Sequence, residues 1–125
     1  MRQQRKWRCM NWSVAGAIAL GLAVTLGAFG AHGLRDRLDA YSMDVYERAV
    51  FYHFIHALGL LAVSLAPRTA SLTWVNILLV AGIVIFSGSL YLLAVTGIRT
   101  LGAITPLGGL SFIAAWLLLA WSLRK

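Results

Sequence analysis

The sequence predicts an all-α integral membrane protein: a four-helix transmembrane bundle with a short amphipathic interfacial segment between helices 1 and 2. Three observations carry this expectation. Of the 125 residues, 60% are hydrophobic and 12% charged, against about 45–50% and about 25% in soluble domains. A short chain has too much surface for its volume to hide such an apolar excess from water. Apolar stretches of bilayer length occur at about 12–31, 50–66, 74–95 and 104–123. Charge is confined to their flanks and to the gaps between them. One transmembrane domain over residues 1–125 follows.

The first stretch, Trp12 to Ala31, is twenty residues without a charge. At about 1.5 Å per residue such a helix covers roughly 30 Å, the thickness of a bilayer core. A basic start before an apolar run also resembles a secretory signal, with Ala28-Phe29-Gly30 as a small-x-small site. The run is longer than a signal's apolar core and carries small residues at packing intervals, so it is read as a retained helix.

A polar outer loop over 32–49 follows, with all four acids of the chain, Asp36, Asp39, Asp44 and Glu47, beside Arg35, Arg37 and Arg48. Leu34, Leu38, Tyr41 and Val45 recur at helical intervals, which predicts an amphipathic piece on the membrane surface. Ser42, with Asp44 and Glu47 behind it, predicts an N-cap and a helix from about Met43. The second span, Val50 to Ala66, is closed by Pro67. The third, Trp74 to Val95, holds 22 residues and no charge. Thr96 to Ala103 reads as a loop carrying Arg99. The fourth span runs from about Ile104 to Leu123, with Thr105 as N-cap and Pro106 at N1, where proline forfeits no helical hydrogen bond.

The net charge of +7 would suit nucleic acid in a soluble chain. Here the basic residues flank apolar segments, where membrane topology and anionic lipid account for them, so no nucleic-acid partner is expected. Arg2, Arg5, Lys6, Arg8, Arg68, Arg124 and Lys125 fall on one side of the predicted membrane, and Arg35, Arg37, Arg48 and Arg99 on the other. The positive-inside rule then places both termini in the cytoplasm. Trp7, Trp12, Trp74, Trp116 and Trp121 lie near that same face as interfacial anchors. The single cysteine, Cys9, cannot form an internal disulfide; it reads as an idle thiol, with acylation as the alternative.

Ala15, Ala19, Ala23, Gly27 and Ala31 recur every four residues, a small-residue face that lets a neighbouring backbone come close. The third span offers Ala81, Gly88 and Ser89, and the fourth Gly108, Gly109, Ser111 and Ala115. Packing inside the monomer is the expected use of these faces and dimerisation the alternative. A tight bundle with little central volume is expected.

Ionisable groups within membrane segments are costly and mark candidate sites. Arg48, Tyr52 and His56 follow at four-residue intervals and line one helix face, with His53 beside it. His32 should reach the same membrane face as Arg48. Three readings compete for this polar constellation. The first is a structural network in which Arg48 pairs with an acid and the histidines and Tyr52 bond between helices. The second is a ligand or proton site using His53 and His56. The third is a metal or haem site, with His32 as a third ligand and Met43 as a soft one. No hydrolytic catalytic set and no phosphate-binding glycine loop is visible. No cofactor is called for.

Gly27-Ala28-Phe29-Gly30-Ala31-His32-Gly33-Leu34 resembles the signature of the YgdD/YwdK family of small bacterial inner-membrane proteins, which has eukaryotic four-span relatives. Tyr46-Glu47-Arg48-Ala49-Val50-Phe51-Tyr52-His53-Phe54-Ile55-His56-Ala57 is similar to that family's second block, and Gly102-Ala103-Ile104-Thr105-Pro106-Leu107-Gly108-Gly109 to its third. The likeness runs from about residue 12 to 123. It implies four spans and a bacterial inner-membrane setting, marks His32, Arg48, Tyr52, His56, Thr105 and Pro106, and supplies no reaction, since the family is classed by a domain of unknown function.

The functional expectation is a non-enzymatic accessory or scaffold protein, or a binder of lipid or a hydrophobic ligand. Its partners would be membrane lipids and either another protein or further copies of itself. The alternative is a small transporter, channel or metal-binding protein working through His32, His53 and His56. An intramembrane enzyme would need convergent reactive groups, and the sequence offers only this histidine cluster.

Overall fold

A computed structural model describes residues 11–124, all-helical apart from short turns. The basic N-terminal residues Arg2 to Arg8, Trp7, Cys9 and Lys125 lie outside the described residues. The first helix, α1 (Trp12–Phe29), starts behind Asn11, whose side-chain oxygen accepts the Ser13 N–H at 3.2 Å. It continues through a π turn at Gly30–Leu34. Tyr46 explains the turn: its ring fills the space that a side chain at residue 30 would need, and its hydroxyl donates to the Leu26 carbonyl. A side chain that engages a ladder carbonyl loosens the local repeat, which is where π turns form.

The polar stretch does not form a separate interfacial helix, contrary to the sequence expectation. His32 lies in the middle of the π turn, Leu34 finishes it, residues 35–38 reverse the chain, and α2 (Ala40–Ser64) begins ahead of the predicted Met43. Asp39, not Ser42, is the cap; its carboxylate accepts the Ser42 N–H at 2.7 Å. That bond favours the charged form and holds the Asp39 carboxyl below its usual range. The spacing of Leu34, Leu38, Tyr41 and Val45 straddles two helix ends. Leu34 and Leu38 fold back onto a core of Val45, Tyr46, Ala49, Leu90, Leu93 and Ala94.

Pro67 follows the end of α2, and Thr69 caps α3 (Ala70–Gly82) through its hydroxyl, which accepts the Leu72 N–H at 3.2 Å. A second π turn, Ile83–Ser87, joins α3 to α4 (Gly88–Thr96) in one rod. Gly97 ends the rod with φ 71°, a left-handed value that glycine adopts without a Cβ penalty. The predicted loop contains a 3₁₀ helix, Arg99–Ala103, and α5 runs Thr105–Leu123. Thr105 is the first helical residue rather than the cap, because its hydroxyl is engaged with Ser89 Oγ at 2.6 Å.

The two inner rods, α2 and α3–α4, pack on each other; α1 leans on α2, and α5 leans on α3 and its π turn. Leu60, Val63, Leu72, Val75, Leu79, Phe112 and Ala115 form the second core cluster, toward the end where α1 and α3 begin. Three helical segments are long and apolar enough to cross a membrane: Trp12–Leu34, Ala70–Thr96 and Arg99–Leu123. The predicted second span lies inside α2, which carries the polar constellation and is the helix most enclosed by the others. Enclosure is what permits His53 and His56, since they meet protein instead of lipid.

The small-residue faces pack within the monomer. Ala23 is fully buried, Ala19 and Gly27 are part-buried, and a Cβ at Gly27 would stand 3.3 Å from Val50 Cγ1. Gly16, outside the predicted stripe, sits against the Leu61 backbone. Gly108 lies on the Phe86 backbone, where no Cβ fits, whereas Gly109 is 3.8 Å from the Phe86 ring and less constrained. Ala31 is exposed at the far end of the stripe.

Candidate functional site: a polar spine on the second helix

Helical geometry sends His53 and His56 to different neighbours. His53, 5% exposed, places Nδ1 2.9 Å from the Tyr91 hydroxyl on α4. The Ala19 carbonyl on α1 is the ring's other polar neighbour. With Nδ1 accepting from Tyr91, the opposite nitrogen carries the proton of a neutral imidazole. Through Tyr91, His53 ties α2 to α4.

The network continues toward the acidic end. Tyr91 meets Tyr46 edge-on, ring centroids 5.3 Å apart, and Tyr46 donates to Leu26 of α1. One turn along, Ser87 Oγ donates to the Ala49 carbonyl at 2.9 Å, a fully buried contact between α2 and the second π turn. Each bond answers a polar group that would otherwise stand unsatisfied in an apolar interior.

His56 faces α5. Its Nδ1 lies 2.7 Å from the Tyr52 carbonyl one turn back, so this nitrogen is the donor. Its ring stacks on Phe112 at 3.5 Å between centroids and lies parallel to Tyr52 at 6.0 Å, with Trp116 tilted beside it at 5.7 Å. Phe86, carried by the second π turn, packs between Tyr52 and Phe112. The Tyr52–His56 stripe is thus real, and it is an aromatic seam between helices.

The rest of the predicted constellation stands apart. Arg48 pairs with Asp44 at 3.0 Å on the exposed first turns of α2, with both side chains more than half exposed. His32 is exposed in the first π turn. The three histidines do not share a site, and among the described residues no group of three or more His, Cys, Asp or Glu side chains is placed to hold a metal ion. A groove of about 110 Å³ between α1 and α2, lined by Gly27, Gly30, Met43, Tyr46, Glu47 and Val50, opens beside the acidic end.

Sequence reasoning missed Tyr46, Ser87 and Tyr91 as members of the network. The signal for Tyr46 was available: it precedes His53 by two turns and shares its face. Ser87 and Tyr91, with Ser89 between them, are hydroxyls in an otherwise apolar stretch, a pattern that reads as polar glue between membrane helices.

Residues 26–109, which hold Tyr46, His53, Ser87 and Tyr91, match the family described as "Protein of unknown function (DUF423)". The chain belongs to this family. It is 51% identical over 110 residues to the UPF0382 membrane protein YwdK of Bacillus subtilis, covering 85% of this chain and 89% of that one. It is 52% identical over 108 residues to a UPF0382 membrane protein of Staphylococcus saprophyticus, covering 85% and 90%. A UPF0382 membrane protein of Staphylococcus haemolyticus is 50% identical over 114 residues, covering 90% and 93%. No solved structure matches the chain. This member of the DUF423 family is a bacterial membrane protein, in keeping with its apolar helices.

Proposed function

We propose that this DUF423 protein is a non-enzymatic inner-membrane protein whose four rods all cross the bilayer, with both termini cytoplasmic, and that it serves as an accessory or scaffold subunit that also holds lipid. One observation carries the reading. The polar residues of α2 that would do chemistry or conduct ions are engaged in interhelical contacts, His53 with Tyr91 and His56 with Phe112. The outward surface is instead apolar and large: Ile18, Leu22, Phe51, Leu58, Val84, Leu110 and Leu117 are all exposed. Such a surface suits lipid and a partner's membrane helix. Extraction in a mild detergent with cross-linking and mass spectrometry tests it. A stable co-purifying membrane protein, or retained lipid, is the expected outcome; a monomer carrying neither would count against the proposal. The divergence of His32, His53 and His56 leaves the transport and metal readings without a supporting observation.

A further inference from the structure

The end of the bundle where α1 and α3 begin holds a small polar recess with an unusual donor balance. It lies between Ser13 of α1, Ser64 of α2, and Arg68, Thr73 and Asn76 around the start of α3. Asn76 is 4% exposed, and its Oδ1 has no hydrogen-bond partner. An orphaned buried carbonyl forfeits its hydration without a replacement bond, so its retention asks for a ligand.

The neighbouring hydroxyls cannot supply the missing donor. Ser64 donates its hydrogen to the Leu61 carbonyl, so in the Ser13–Ser64 contact at 3.0 Å it is Ser13 that donates. Thr73 donates to the Thr69 carbonyl at 3.0 Å. The three hydroxyls of the recess therefore present acceptors whose hydrogens are spent elsewhere, beside the N–H donors of Arg68, Asn11 and Trp12 in its lining. Its cavity of about 20 Å³ accepts one water-sized group.

A metal cation would also seek acceptors, but the electrostatics oppose it. Arg68 lines the rim; the positive ends of α1 and α3 lie here beside the negative end of α2, so the helix dipoles offset and the guanidinium sets the sign. All four acids sit at the opposite end, between the close of α1 and the first turns of α2. The surroundings favour an anion outside and a neutral donor within.

We propose that this recess is the headgroup subsite for an anionic phospholipid bearing a free hydroxyl, of the glycerol-headgroup kind. The hydroxyl enters the recess and donates to Asn76 Oδ1. The phosphate lies outside, against the Arg68 guanidinium and the first-turn N–H groups of α3. Exposed Leu65 and Trp74, next in sequence to lining residues, offer apolar surface to the acyl chains. The inference rests on the membrane reading above and names which lipid is held.

The test is native mass spectrometry of the full chain released from bilayers containing phosphatidylglycerol, phosphatidic acid or phosphatidylethanolamine. Phosphatidic acid is anionic without a headgroup hydroxyl. The wild type should retain phosphatidylglycerol about three- to tenfold better than phosphatidic acid, the worth of one hydrogen bond. Asn76→Leu should abolish that preference while melting no lower than the wild type, since it removes the orphaned group. Ser13→Leu, which fills the recess from α1, should do the same independently. Arg68→Gln should weaken both anionic lipids alike.

Equal retention of the two anionic lipids by the wild type, or an unchanged preference in both recess-blocking variants, would overturn the subsite. Saturable binding of free glycerol phosphate with no lipid preference would overturn the lipid as its source. Retention of no lipid at all would also count against the lipid-holding part of the proposed function, so the two failures are distinguishable.

Discussion

At the residue scale, the polar groups of α2 are chosen for what they bond to across helices. His53 is the clearest case, because its Nδ1 meets the Tyr91 hydroxyl on α4 at 2.9 Å. Tyr91→Phe should cost about 1 kcal/mol of stability and leave His53 without its donor. The His53→Phe and Tyr91→Phe pair should be non-additive by a similar amount of about 1 kcal/mol in thermal unfolding in detergent. Additive losses would show that the contact contributes nothing. Asp39 makes a pH-dependent contribution of known sign. Its carboxyl titrates lower in the folded chain than in the unfolded one, through the bond from Ser42. The stabilisation is therefore present above the unfolded value of about 3.9 and is lost as pH falls through the lower folded value. Hydrogen exchange at the first turn of α2 should rise across that acidic window, and Asp39→Ala should remove the pH dependence.

At the scale of elements, the glycines divide by what stands opposite them. Gly108 lies on the backbone of Phe86, which cannot move aside as a flexible side chain would. Gly108→Ala should separate α5 from the second π turn and cost about 1–3 kcal/mol, as overpacking does. Gly21 has nothing within 4 Å of where a Cβ would be. Gly21→Ala should instead be neutral or stabilising by about 0.5–1 kcal/mol, because alanine loses less backbone freedom in a helix. Melting temperatures of the two variants in one detergent check the contrast; equal effects would refute the assigned packing. The π turns follow the same logic. Each sits where a hydroxyl from another rod engages a helix carbonyl just ahead of it: Tyr46 on Leu26 at the first, Ser111 on Leu78 at the second.

At the scale of the whole molecule, the rods are ordered by polarity. The helix with the lowest apolar content, α2, is enclosed by α1 and the α3–α4 rod, while α1 and α5 turn broad apolar faces outward. If all four rods cross the bilayer, both termini share one compartment. Reporter fusions after Arg124 and after residue 66 should then report the cytoplasmic side, and a fusion within 35–38 the opposite side. A fusion after Arg124 on the same side as 35–38 would break the four-span reading. Alkaline carbonate should leave the chain in the membrane fraction, as it does for proteins held by buried apolar helices.

Bilayer-length apolar runs and the charges between them were enough to read an all-α membrane chain, the ends of α1 and α5 to within a residue or two, and the four-residue spacing of Tyr52 and His56. These are local quantities: hydropathy accumulates along the chain, and helical periodicity assigns a residue to a face. Which object each face meets was not local. The spacing of Leu34, Leu38, Tyr41 and Val45 looked like a surface helix until the turn at 35–38 folded its leucines into a core. Arg48, His32 and His53 read as one constellation along the chain, yet they face solvent, solvent and Tyr91. Tyr46, Ser87 and the orphaned Asn76 acquire meaning only from partners tens of residues away. A hydrogen bond needs two groups at about 3 Å, and only the packing of the rods brings such groups together.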